Sequence, residues 1–269
     1  MTIGRTLFGE DLVKTAIARL RLYEGLALQR DPEGYYVAFS GGKDSIVIRQ
    51  LCQEAGVKHR CYFHVTTVDP PELLRFIRAQ YPDTVWTRPA ETMWQLIRRK
   101  LMPPTFRKRY CCEVLKEYGG IGRVVVMGLR WQESSKRRSR RMIESCYKPS
   151  VNRLLLSPII DWTTNQVWSY IRDRKLAYPS LYDEGFRRIG CVGCPMGGVD
   201  NQKKEFARWP RFEALYRRAF DHVAKVRAEK GLTEEGSSWA TGESMFNWWL
   251  SKEGRKGKRA RNEPWLFGG

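Results

Sequence analysis

No apolar run in this chain approaches the roughly 18–20 residues that a bilayer-spanning helix needs. Residues 1–10 offer neither the apolar stretch nor the small-residue cleavage site of a secretory signal. A soluble, cytoplasmic protein with no membrane partner is therefore expected. Acidic residues are scarce: 29 Asp and Glu face 48 Lys and Arg, a formal net charge of +19 in 269 residues. Internal repeats and low-complexity linkers are lacking as well. A hydrophobic fraction of 42% and an aromatic fraction of 12% exclude a mostly disordered chain. The length suits one large domain, or one domain with appendages.

So large a surplus of positive charge favours polyanionic partners through counterion release, and one small nucleotide does not need it. Nucleic acid is the expected partner. The cysteines are Cys52, Cys61, Cys111, Cys112, Cys146, Cys191 and Cys194. Their odd number, with no export signal, argues against a disulfide framework and for reduced thiols or metal ligands.

The pattern along the chain predicts a helix from Glu10 to about Leu28, broken by Asp31-Pro-Glu-Gly34. A strand at Tyr35–Phe39, a helix at Ile46–Ala55 ended by Gly56, and a strand at Arg60–Thr67 follow. Then come a helix at Pro71–Tyr81, a strand at Thr84–Thr87, a helix at Glu91–Lys100 and a strand at Arg123–Met127. Strands alternating with helices predict an α/β fold with a mostly parallel sheet and flanking helices. The expected organisation is an N-terminal helix in residues 1–29, a nucleotide-binding α/β domain in 30–161, and a helical, basic region in 162–269.

Between the first strand and its helix lies Ser40-Gly41-Gly42-Lys43-Asp44-Ser45. Two glycines let backbone N–H groups approach an anion closely, and the helix N-terminus adds partial positive charge. Lys43 supplies a full charge, and Ser40 and Ser45 supply hydroxyl donors. The spacing is not that of the Walker A loop. Further on stand Gly128-Leu-Arg130-Trp-Gln-Glu133-Ser134-Ser-Lys-Arg137, then Ser157-Pro-Ile-Ile-Asp-Trp162-Thr with Val167-Trp168, then Tyr178-Pro-Ser-Leu-Tyr182-Asp183-Glu-Gly185.

On these four ordered motifs, from residue 40 to 185, the chain resembles the ATP pyrophosphatases and phosphoadenosine phosphosulfate reductases. The resemblance implies an adenine-nucleotide α-hydrolase-like fold, with ATP and Mg²⁺ as cofactors. It implies a loop that holds the β- and γ-phosphates and leaves the α-phosphate open to in-line attack. Lys43, Asp44 and Arg130 then fall at catalytic positions. Ser40, Gly41, Gly42, Ser45, Asp69, Gly128, Glu133 and Arg137 complete the nucleotide site. Arg130 and Arg137 offer bidentate donors to phosphate or sulfate. Glu133 either holds an arginine or helps to place Mg²⁺. Asp69 contacts a ribose hydroxyl or a metal, or caps the next helix.

The tandem Cys111-Cys112 and Cys191-Val-Gly-Cys194 suit a redox pair, zinc or an iron–sulfur centre by spacing alone. Their resemblance to the cluster-bearing sulfonucleotide reductases implies a 4Fe–4S cluster on these four residues, with zinc as the alternative. Cys52 and Cys61 are expected in the core, while Cys146 is either structural or a sulfur-carrying nucleophile. The reductases also use a cysteine in a Glu-Cys-Gly-Leu-His-like tail, whereas the last cysteine here is Cys194.

That difference directs the expectation to the activating branch, closest in type to the Dnd-like DNA phosphorothioation sulfurtransferases. The expected reaction adenylates a nucleic acid, DNA ahead of RNA such as tRNA, for sulfur transfer from a cysteine desulfurase or another sulfur donor protein. The alternatives are a sulfonucleotide reductase that borrows its missing thiol, and a non-catalytic nucleotide- and nucleic-acid-binding module. Basic clusters at Arg98–Lys100, Arg107–Arg109, Lys136–Arg141 and Lys252–Arg261 are candidate phosphate contacts. Of Trp239, Phe246, Trp248 and Trp249, the helical spacing assigns most to a core face and leaves Trp248 as a stacking platform.

Overall fold

The computed structural model describes residues 11–146, 151–233 and 237–251. These form two compact units, each assembled from separate stretches of chain. One takes the residues up to His64 with Pro71–Thr87 and Tyr118–Ile189; the other takes Val65–Pro70, Arg88–Glu117 and the chain from Gly190 onward.

In the first unit, Tyr35, Tyr36 and Val37 are a buried apolar run that suits a strand covered on both faces. They make β1 (Tyr35–Ala38), which pairs in parallel with β2 (His59–His64) and β4 (Val124–Val126). β3 (Val85–Thr87) lies beyond β2, and β6 (Leu154–Leu156) lies beyond β4. β5 (Ile143–Ser145) closes the sheet antiparallel to β6. The order β3-β2-β1-β4-β6-β5 reverses between β1 and β4. That reversal is a topological switch point, where open α/β sheets bind ligands beyond the strands' carboxyl ends.

Helices α1 (Leu12–Arg30), α2 (Lys43–Ala55), α3 (Pro71–Gln80) and α7 (Thr164–Asp173) belong to this unit, with a short α6 (Ser135–Arg138). Asp11 caps α1 by accepting from the N–H groups of Val13 and Lys14. Arg19 ties α1 to Asp161 through two bonds of 2.9 and 2.7 Å. This is the expected α/β fold of adenine-nucleotide α-hydrolase type, with boundaries that differ for local reasons. α2 begins at Lys43 rather than Ile46, because Gly42 already serves as its N-cap. β2 stops at His64 rather than Thr67, because Thr67 adopts a φ of 65°, which no strand allows. β5 and β6 are additions to the expected strands, and neither carries the run of β-branched residues that marks β4.

The second unit contains α4 (Met93–Lys100), α5 (Tyr110–Leu115), α8 (Val199–Arg208), α9 (Pro210–Glu229) and α10 (Gly242–Trp249). α9 is its spine, and Tyr216 and Phe220 from α9 meet Phe206, Phe246 and Trp249 with ring centroids 4.8–6.1 Å apart. The indole N–H of Trp249 donates to the Pro104 carbonyl at 2.6 Å. The expected platform at Trp248 is corrected here. Trp239 and Trp248 are each only 8% exposed, because their rings pack against one another at 5.2 Å. Arg227 covers the Trp239 face at 4.7 Å.

Among the described residues no helix is long and apolar enough to cross a membrane. The basic cluster at 252–261 and the first ten residues of the expected N-terminal helix lie outside the described residues.

Candidate functional site

The loop after β1 is shaped by what its glycines must avoid. Gly41 has a φ of +70°, and a Cβ there would stand 2.6 Å from the Ile77 side chain and 2.8 Å from Leu73. Ser45 locks the loop from beneath: its hydroxyl donates to the Gly42 carbonyl at 2.8 Å and accepts from the Ser40 N–H at 3.2 Å. The first N–H of α2, that of Lys43, donates to the Tyr182 hydroxyl at 3.0 Å. Burial pushes the Tyr182 phenol well above its ordinary range, so it stays protonated.

Asp44 is the electrostatic centre of this site. One carboxylate oxygen meets Lys43 Nζ at 2.7 Å, and the other accepts from Arg130 Nε at 2.8 Å. Arg130 is 2% exposed and is held further by the Trp162 carbonyl and the Thr164 hydroxyl, at 3.3 and 3.2 Å. Gly128, two residues past β4, lies beside Asp44, where a Cβ would come within 2.8 Å of the Asp44 Cβ. The motif glycine thus lets β4 press against the first turn of α2. Glu133 accepts from the Arg130 backbone N–H at 3.1 Å and pairs with the Arg137 guanidinium, so it holds both arginine-bearing segments. Burial, followed by the charges of Arg188, Arg130 and Arg140, depresses the Arg137 guanidinium, against an upward pull from Asp44. The cations clustered around Arg137 mark a place suited to an added anion.

Asp69 falls in the other unit. Its carboxylate turns back to accept from the Thr66 N–H at 2.7 Å, rather than reaching along α3. It belongs to a clasp made by residues 65–70 around the CxxC turn. The Val192 N–H donates to the Val68 carbonyl at 2.8 Å, and Cys191 Sγ lies 3.5 Å from Thr66 Oγ1. Gly193 has a φ of +75°, and a Cβ there would strike Phe206 at 2.7 Å and Tyr216 at 2.9 Å. The Gly193 N–H donates to Glu205 at 2.7 Å and its carbonyl accepts from Gln202 at 2.9 Å, both side chains being buried. A hydrophobic wall and two buried polar groups therefore fix the CxxC backbone.

Cys111 and Cys112 ride on α5, whose Tyr110 hydroxyl donates to the Met102 carbonyl at 2.6 Å. Cys111 responds to the other three thiols. The Cys111 thiol is pushed far up, first by its hydrogen bond with Cys112, then by burial and the charges of Cys112, Cys191 and Cys194. That same bond, joined by Lys116 and Arg109, lowers Cys112. Lys116 is raised by Cys191 first, and also by Asp69, Cys194 and Cys112. Among the described residues, no three His, Cys, Asp or Glu side chains stand as placed in a metal-holding arrangement. The donor set nevertheless fits a thiolate-ligated centre in its chemistry: four thiols, with a lysine whose charge offsets theirs.

Cys52 and Cys61 are buried, and burial raises both thiols, Cys61 to about 12. Cys146, half-buried, lies 3.9 Å from an Arg153 nitrogen. Tyr182 and Thr66 are the participants that residue patterns did not single out, whereas Lys116 is one of the basic residues expected to offset the charge of the thiolates. Tyr182 stood inside a quoted motif, and that was its only signal.

Residues 34–197 match the family model described as the phosphoadenosine phosphosulfate reductase domain. An uncharacterised protein of Methanocaldococcus jannaschii is 30% identical over 219 residues, 74% of this chain and 44% of that protein. An adenosine 5'-phosphosulfate reductase of Staphylococcus haemolyticus is 30% identical over 108 residues, 38% of this chain and 44% of the relative. The phosphoadenylyl-sulfate reductase of Candida auris, solved with phosphate, is similar at a TM-score of 0.49 and 21% identity, covering 67% of this chain and 92% of that one. The chain spans about half the length of the first curated relatives it matches.

Proposed function

This chain belongs to the phosphoadenosine phosphosulfate reductase domain family, and from that premise we propose that it uses ATP to adenylate a nucleic acid for sulfur transfer. The observation that carries the reading is the Asp44 bridge between Lys43 and Arg130 at 2.7 and 2.8 Å, set where the loop after β1 meets the end of β4. It holds two cations in fixed directions at a helix N-terminus, the arrangement that polyphosphate recognition requires. Both nearby carboxylates, Asp44 and Glu133, are already engaged by cations, so Mg²⁺ would rest chiefly on phosphate oxygens. The formal charge of +19 supports a polyanionic second substrate.

In the reaction, an oxygen of the nucleic acid attacks the α-phosphorus, the bond from that phosphorus to the bridging oxygen breaks, and pyrophosphate leaves. A persulfide sulfur, delivered by a donor protein of cysteine desulfurase type, then displaces AMP from the adenylated atom. A thiol reductant cleaves the remaining S–S bond. Lys43 and Arg130 neutralise charge and position the triphosphate; Tyr182 sets the loop. Cys111, Cys112, Cys191 and Cys194 would hold a 4Fe–4S cluster, or zinc in its place, which supplies electrons or a structural clamp respectively.

A second reading, reduction of a sulfonucleotide, is favoured by relatives named adenosine 5'-phosphosulfate reductase. In that reading Arg130 and Arg137 take the sulfate. Product analysis on anaerobically purified protein separates the two. ATP turnover to AMP and pyrophosphate, stimulated by DNA or tRNA and lost in Lys43→Ala, is the expected result. Release of sulfite from a sulfonucleotide in the presence of thiol, without pyrophosphate, establishes the reductase instead.

A further inference from the structure

We propose that Trp131 is a stacking platform for an unpaired base of the nucleic-acid substrate, flanked by a cationic ribbon that takes the adjoining phosphates. The inference rests on the nucleic-acid reading above and specifies which part of that substrate the protein grips. Among the described residues Trp131 is the one exposed tryptophan, with 40% of its surface open, although it follows directly on the buried Arg130. A large indole left open at such a place is not explained by packing.

Its setting is rigid. The Trp131 N–H donates to the Ile160 carbonyl at 2.7 Å, and the indole N–H donates to the Arg140 carbonyl at 2.8 Å. On either side, Glu133 holds the Arg130 backbone and Gln132 accepts from the Thr164 N–H at 2.6 Å. The polar edge of the indole is thus already satisfied, and what it offers outward is apolar ring surface at little further cost in side-chain freedom. Base stacking uses that surface and tolerates any base.

The segment that follows supplies the other half. Arg137 and Arg140 are paired with Glu133 and Glu144, while Lys136, Arg138 and Arg141 are exposed. From Lys136 to Arg141 five of six residues are basic, so the surface beside the indole is cationic. An aromatic face bordered by cations is the recognition pattern of a single strand: stacking for the base, charge for the backbone. A free nucleotide shares the base chemistry, so the two sources must be distinguished.

The test is fluorescence anisotropy with a labelled oligothymidylate of about ten residues and a strand of the same length made wholly of abasic sites, together with ATP affinity by calorimetry. Trp131→Ala is expected to weaken the oligothymidylate by about tenfold, leaving ATP affinity and the salt dependence unchanged. Trp131→Phe, which loses the indole hydrogen bond but keeps a ring face, is expected to retain most of the affinity. The abasic strand is expected to bind wild type and Trp131→Ala alike. Replacing Lys136, Arg138 and Arg141 by Ala is expected to lower the salt slope instead. Equal oligothymidylate binding by wild type and Trp131→Ala overturns the proposal and leaves the nucleic-acid reading standing. Failure of wild type to bind either strand overturns both. A loss of ATP affinity in Trp131→Ala with intact strand binding assigns the indole to the nucleotide and overturns the proposal as well.

Discussion

The loop that ends β1 and the turn that carries Cys191 and Cys194 solve the same problem, a backbone held still beneath a reactive group, by opposite means. Around the loop, the holding groups are charged: Asp44 between Lys43 and Arg130, and Glu133 against Arg137. Around the cysteines, they are neutral or buried: an aromatic wall of Phe206 and Tyr216, with Gln202 and Glu205 bonded to the Gly193 backbone. The difference follows from what each must receive. In the function proposed above the loop receives a polyphosphate, which arrives with its own charge and meets cations already held in place by Asp44. Thiolates bring charge from the protein itself, which Lys116 and Arg109 offset, while the scaffold that fixes the turn is largely buried.

The largest expected effects lie at the glycines. Gly193→Ala places a Cβ in collision with Phe206 and Tyr216 at a positive φ, and is expected to cost about 3 kcal/mol and the bound metal. Gly128→Ala meets Asp44 instead, and is expected to cost about 2 kcal/mol together with most of the nucleotide affinity. Denaturant melts paired with metal analysis and nucleotide titration read both. Equal losses of metal and nucleotide in each variant would show that the two supports are not separate.

A smaller effect sharpens the charged side. Tyr182→Phe removes the acceptor of the Lys43 N–H and should destabilise the ligand-free protein by about 1 kcal/mol. Because a bound phosphate offers that N–H a new acceptor, the thermal shift on adding ATP should be larger than in wild type. An unchanged shift would show that the phenol does not stand on a phosphate position.

The smallest effect concerns pH. Burial raises the Glu54 carboxyl, but its bonds from Arg174, Tyr170 and Gln50 outweigh this and hold it below its ordinary value of 4.5. Its contribution is therefore complete above that ordinary value and is lost as pH falls through the lower, folded one. Arg174 is 37% exposed, so screening keeps the contribution under about 1 kcal/mol. Glu54→Gln should be slightly less stable than wild type at neutral pH and equal to it in acid, as read by urea melts across that range. A constant difference would remove the carboxylate from the account.

Much of the sheet and the loop was legible because the signals are contiguous. Tyr35–Val37, Ser40–Ser45 and Gly128–Arg130 carry their meaning within a few residues of one another. Gly56 likewise announced the end of α2, and it takes a φ of 70° there. What stayed hidden depends on contacts between distant segments. The Tyr182 hydroxyl reaches Lys43 across 139 residues, and no local pattern encodes that. The partners of Asp69 are set by the turn at Thr67, whose positive φ belongs to a residue that favours strands. Helical spacing points to Trp248 as the aromatic platform, yet Trp239, nine residues earlier, covers it. The exposed indole is Trp131, whose surroundings in sequence are charged rather than aromatic.

In the proposed reaction an acceptor oxygen, not water, attacks the α-phosphorus while Lys43 and Arg130 hold the triphosphate. It is tested most directly by turning over ATP in ¹⁸O-water with nucleic acid and a persulfide donor, then weighing the AMP by mass spectrometry. The account predicts AMP without the heavy isotope, because the oxygen it gains comes from the acceptor. AMP carrying one ¹⁸O would show hydrolysis by water and would contradict it.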